Sequence, residues 1–148
     1  MMTTALRSLA LVFAICISAT YPALAQEKPY REGSVWQLTF IKLKPGMFDV
    51  YMQDAVIGRA KEMEEAKKQG LVLSFKVLSG ISANREDWDI LFMEEYKNWA
   101  ALDGLSEKFA AIETKAHGTE EKALQAKVKR TDVREVVGEK MMQELIIK

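Results

Sequence analysis

Lys76 and Asp89 are charged residues set inside two apolar runs, 71–78 and 88–96, and a third such run, 34–44, carries Gln37 and Thr39. With Ser74 they make five polar side chains at alternating positions of β-forming segments, and alternating positions of a strand share a face. An ammonium and a carboxylate gathered with an amide and two hydroxyls can orient an anionic or carbonyl-bearing ligand. The same Lys76 and Asp89 can instead form a partly buried ion pair that sets strand register and subunit geometry. No catalytic residue is assignable from these residues. His117 is the one imidazole and Cys16 the one thiol, which excludes a zinc finger, a disulfide framework and a multi-histidine site, so no metal is expected. There is no Gly-rich phosphate loop, Gly-x-Ser-x-Gly elbow or His-Glu-x-x-His helix. Lys127, Arg130 and Arg134 recur at spacings of three and four, near Glu120, Glu121, Asp132 and Glu135. That pattern predicts a solvated, salt-bridged helix face rather than an anion site.

The elements that must position these groups can be read along the chain. Residues 1–25 combine Arg7, an apolar run from Leu9 to Ala19 and the small-x-small sequence Ala23-Leu24-Ala25. This is the pattern of a cleaved signal peptide, which places the mature protein in the periplasm or outside the cell and off the membrane after cleavage. Residues 26–33 hold Pro29 and are expected to form a flexible lead-in to one domain, 34–148. The 21 basic residues are matched by 21 acidic ones in a chain of 148, and that neutrality argues against a nucleic-acid partner. Pro45-Gly46 ends a first strand, and Phe48, Met52, Ala55, Val56, Met63 and Ala66 follow at helical spacing up to Gly70. Two strands follow, separated by a polar loop, 79–86. Asn98 caps a helix carrying Trp99, Leu102, Leu105, Phe109 and Ile112, and a break at 116–119 precedes a further helix begun at Thr119. Residues 141–147 form the last strand.

Side-chain alternation sorts the strands into two faces. Pairing Val77 with Trp88 and Phe75 with Ile90 keeps apolar residues together, and sets Lys76 beside Asp89. Joined by Trp36, Leu38 and Phe40, that apolar set is expected beneath the helices. The second face then holds Gln37, Thr39, Ser74, Lys76 and Asp89 among Val35, Ile41, Leu43, Val72, Leu78, Leu91 and Met93. Burying those seven apolar side chains is worth about 10–20 kcal/mol gross, against about 4–15 kcal/mol or more for association. A homodimer formed through this face is therefore expected.

The run Lys42-Leu43-Lys44-Pro45-Gly46 before a long helix, and Ala66-Lys67-Lys68-Gln69-Gly70 leading into 73–78, are similar to members of the dimeric α+β barrel superfamily. The resemblance covers roughly residues 34–148. It implies a ferredoxin-like α+β fold of order βαββααβ, with a four-stranded antiparallel sheet, helices on one face and two sheets pairing around small cavities. The helix begun at Thr119 is additional to the minimal unit. Haem-degrading members of the superfamily use an Asn on the first strand, a Trp and a His near the end of the second helix. Here the first strand offers Gln37, and His117 stands in the break, 18 residues after Trp99, so no cofactor is expected. Two functions remain: a small-ligand-binding or structural protein, or a cofactor-independent monooxygenase-like enzyme using Lys76, Asp89 and Gln37. Shared fold does not decide between them.

Overall fold

The computed structural model describes residues 27–148, and the expected signal peptide, 1–25, lies outside them. Strands β1 (Tyr30–Leu43), β2 (Ser74–Ser79), β3 (Ile90–Tyr96) and β4 (Arg134–Ile147) make one antiparallel sheet in the order β2-β3-β1-β4. Helix α1 (Phe48–Tyr51) passes through a π-helical segment (Met52–Val56) into α2 (Ile57–Lys68), and α3 (Leu105–His117) and α4 (Glu120–Thr131) follow β3. This is the ferredoxin-like α+β arrangement.

Local chemistry accounts for several of the helix boundaries. Thr119 Oγ1 accepts the Lys122 N–H at 3.2 Å and starts α4, while Gly118, at φ 86°, takes the left-handed turn that ends α3. Asn98 Oδ1 accepts the Ala101 N–H at 3.1 Å, but it caps only a 3₁₀ turn, Trp99–Leu102. The chain then turns at Gly104, φ 62°, before α3 begins, so the single helix expected from Asn98 is two pieces.

Val35 and Ile41 of β1 and Ile90, Phe92 and Tyr96 of β3 are buried against Tyr51, Ala55, Val56, Ala66 and Ile112 of the helices. This reverses the expected faces of β1. Register pairs Val35 with Tyr96 and Ile41 with Ile90, so odd positions of β1 share a face with even positions of β3. Trp36, Leu38 and Phe40 therefore point away from the helices, beside Leu91 and Met93. The slim, β-branched Val35 and Ile41 suit close helix–sheet packing.

The hairpin register also differs. Phe75 faces Glu94, Lys76 faces Met93 and Val77 faces Phe92, so β2 lies four positions further along β3 than expected. Face membership of the paired residues survives because the shift is even, but Val72, expected on the second face, precedes β2 and is buried with Val35, Ala66 and Ile112, and Lys76 and Asp89 are not paired. Asp89 is engaged elsewhere. Its N–H donates to the Ile41 carbonyl at 2.9 Å, and its carboxylate accepts from the Leu43 N–H at 2.7 Å and from the Ser82 hydroxyl. It ties the loop after β2 to the end of β1. Further boundaries move: β1 begins at Tyr30, paired with Ile147, inside the expected lead-in, β2 and β3 begin at Ser74 and Ile90 within the runs from 71 and 88, and β4 begins at Arg134 rather than at 141.

Candidate functional site

Arg59 enters the space between helices and sheet and meets three carboxylates. Its guanidinium donates to Glu62 Oε2 at 3.1 Å and to Glu94 Oε1 at 2.9 Å, and lies 3.7 Å from Glu113 Oε1. The three glutamates come from α2, β3 and α3 and are all buried. Each carboxylate has a second partner. Tyr96 OH donates to Glu94 Oε2 at 2.7 Å, Lys127 Nζ lies 2.5 Å from Glu113 Oε2, and His117 Nε2 lies 3.2 Å from Glu62 Oε1. Burial disfavours the Arg59 charge, but Glu94 and Glu62 outweigh it and hold the guanidinium pKa above its ordinary value.

Beside this hub lies a cavity of about 320 Å³. Its walls include Gln37 and Thr39 of β1, Phe92 and Glu94 of β3, Tyr51, Arg59, Glu113, Lys127 and Arg130 from the helices, and Arg134 and Glu139 of β4. A second cavity of about 430 Å³ shares Tyr51, Ala55, Arg59 and Arg130, and opens toward His117 and Lys129. Tyr51, just before the π-helical segment, and Ala55, within it, line both cavities, and such irregularities are often found at binding sites.

Of the five residues singled out in sequence, Gln37 and Thr39 line the smaller cavity. The other three do not reach it. Ser74 lies on the opposite sheet face, its hydroxyl donating to Glu95 Oε2 at 2.5 Å. Lys76 is exposed on that same face with Nζ 5.4 Å from the centre of the Trp36 ring, and Asp89 is the loop tie. Lys127, Arg130 and Arg134, expected on a solvated, salt-bridged helix face, all line the cavity; Lys127 is half-exposed and ion-paired as that pattern predicts, whereas Arg130 and Arg134 are partly buried. Arg134 is not helical. One extra residue in β4 between the pairs Phe40–Gly138 and Ile41–Val136 forms a bulge, and this turns the even-numbered Arg134 to the side already occupied by odd-numbered Glu139. His117 ends α3, at the expected break, and is partly buried on Glu62.

The guanidiniums of Arg130 and Arg134 differ from that of Arg59. Arg134 donates to Tyr51 OH at 2.9 Å, and Arg130 Nε donates to the Ala126 carbonyl at 3.3 Å. Among the described residues neither forms an ion pair with a carboxylate. Burial holds the Arg130 pKa below its ordinary value; Glu62 and Glu113 oppose this, and the like charges of Arg134 and Arg59 add to it. Among the described residues, no group of three or more acidic, histidine or cysteine side chains could hold a metal ion.

Tyr96 and Tyr51 provide a test of this interior. Burial raises both phenol pKa values; the charge of Glu94 raises Tyr96 further, while Arg134 partly offsets the effect on Tyr51. A group that titrates higher in the folded state contributes stability that is complete below its unfolded pKa, about 10, and lost as pH rises above it. Urea unfolding should therefore show stability falling from about pH 10 upward. The fall should be shallower in Tyr96→Phe than in the parent protein, and equal slopes would contradict this account.

No family model matches the chain, and no curated protein matches it. Among solved structures it is similar to the crystal structure of a protein from Bacteroides fragilis NCTC 9343, described as a dimeric protein of unknown function and ferredoxin-like fold. The two share 14% identity over 78% of this chain and 97% of that one, with a TM-score of 0.38.

Proposed function

We propose that this is a small-ligand-binding protein whose ligand occupies the cavity between sheet and helices, and that two copies pair through the helix-free sheet face. The observation that carries the ligand reading is the wall around Gln37, Thr39, Arg130 and Arg134, which gathers polar groups from both central strands, four helices and β4. Its volume of about 320 Å³ falls within the range of small-molecule sites, roughly 300–1,000 Å³. The ion pairs of Arg59 engage Glu62, Glu94 and Glu113 and leave Gln37, Thr39, Arg130 and Arg134 out. Pairing is supported by Trp36, Leu38, Phe40, Leu78, Leu91, Met93 and Met142 on the free face, where Leu78 and Met142 are 49% and 43% exposed. The signal-like segment 1–25 supports an exported protein.

The monooxygenase-like alternative has lost its proposed set, since Gln37, Lys76 and Asp89 occupy three separate places. Ligand-observed NMR with a mixture of small polar compounds tests the binding reading. Saturable binders that compete for one site are expected, and Thr39→Trp, whose indole fills the cavity, should abolish them while circular dichroism confirms the fold. Binding that survives Thr39→Trp would overturn it.

A further inference from the structure

We propose that the cavity takes a small organic monoanion, its carboxylate seated between the guanidiniums of Arg130 and Arg134 beside the Tyr51 hydroxyl. This rests on the ligand-binding reading above and narrows it to a chemical class. The wall carries four cationic side chains and three carboxylates, and Glu62 against Arg59 makes a fourth, so the preference for an anion comes from how these charges are paired and not from an excess of cations.

The cations are unequally engaged. Arg59 and Lys127 are held by Glu94, Glu113 and Glu62, and those carboxylates have further donors in Tyr96 and His117. Arg130 and Arg134 each spend one hydrogen bond on a neutral oxygen, of Ala126 and Tyr51 respectively. A guanidinium has five N–H donors in a planar fork matched to a carboxylate, so most of the donors on these two remain available. Glu139, the remaining carboxylate of the wall, is exposed and forms no ion pair with either among the described residues. An anion placed between two like charges also relieves their mutual repulsion. On the β1 side, the Gln37 amide and Thr39 hydroxyl offer hydrogen bonds to an oxygen-bearing tail, and Phe92 offers a flat apolar surface.

Titrations followed by protein NMR with acetate, benzoate and the neutral isostere benzamide test the proposal. Acetate is small enough to enter whatever the shape of the tail region. Acetate and benzoate are expected to shift the Arg130, Arg134 and Tyr51 resonances saturably, with benzoate binding at least tenfold tighter than benzamide. Arg130→Gln and Arg134→Gln should each weaken benzoate about tenfold while leaving benzamide unchanged. Arg134→Lys, which keeps the charge without the fork, should fall between and guards against a folding defect. Equal affinity for benzoate and benzamide at the cavity would overturn the anion seat while leaving a ligand cavity. Acetate shifts untouched by either Gln variant would place the anion elsewhere and overturn it too. No cavity resonance moving with any of the three would sink both readings.

Discussion

Replacing Arg59 by Met is expected to cost the fold about 3–5 kcal/mol, the range found when one partner of a buried ionic cluster is removed. The guanidinium side chain is 22% exposed and the three glutamates it meets are 2%, 10% and 9% exposed, so solvent screens the cluster little. Without Arg59, Glu94 keeps the Tyr96 hydroxyl, Glu113 keeps Lys127 and Glu62 keeps His117. Three carboxylates then face one lysine and one histidine, and at least one must take up a proton or draw in water. Because the glutamates sit on α2, β3 and α3, the loss loosens helix from sheet and helix from helix together. Arg59→Lys should restore little, since an ammonium cannot span three carboxylates as a planar fork does. Urea unfolding at neutral pH gives the measurement. A loss below about 1 kcal/mol, the size of an exposed ion pair, would show that the cluster is solvated.

The second large effect is expected at Leu91, on the free face of the sheet. It sits opposite Phe40 on β1 and Leu78 on β2, in an apolar patch that includes the Phe40–Trp88 edge contact at 5.2 Å. If two copies meet there, Leu91→Glu places a charge in that patch on each of them. Sedimentation equilibrium at micromolar concentration should find the parent protein as a dimer and Leu91→Glu as a folded monomer. The residues directly opposite, Phe40 and Leu78, offer the new carboxylate no cation, and Lys76 and Lys42 stand only diagonally to it, whereas one at Leu38 would find Lys140 opposite. A parent protein that sediments as one copy would remove the pairing, though not the cavity, which lies on the other side of the sheet.

Element order was legible because its signals are local. Pro45-Gly46, Gly70, Asn98, Gly118 and Thr119 each act within a few residues, and each marks a real turn, cap or helix end. What the strands face is not local. Trp36, Leu38 and Phe40 look like a core stripe when β1 is read alone, but the register with β3 decides which side the helices cover, and it selects Val35 and Ile41. Within the β2–β3 hairpin the parity of faces could be read, yet the slide of four positions could not, because it depends on Asp89 holding Ile41, Leu43 and Ser82. Gln37 and Thr39 stand out because they interrupt an otherwise apolar strand, but they were expected on the helix-free face and line a cavity on the helix side instead. Arg59, Glu94 and Tyr96 were missed because a lone arginine on a charged helix and a Glu-Tyr pair at a strand end look like ordinary surface. Arg134 was identified as part of a basic trio but assigned to a helix, since a bulge has no clear signature in Val136-Val137-Gly138.

That same irregularity in β4 makes the protein unequally tolerant of change in length. A residue lost from 136–138 would put the strand back in phase and swing Arg134 to the helix-free side, emptying one position of the cavity wall and adding a cation to the apolar patch. The ladder could still close along its length, so such a chain could keep its sheet while losing both surfaces. A length change at 83–86 falls outside every paired strand and outside the partners of Asp89, and carries no such penalty. Evolutionary or engineered indels should thus be sifted sharply at one site and pass freely at the other, a contrast set by backbone phase rather than by any side chain's chemistry.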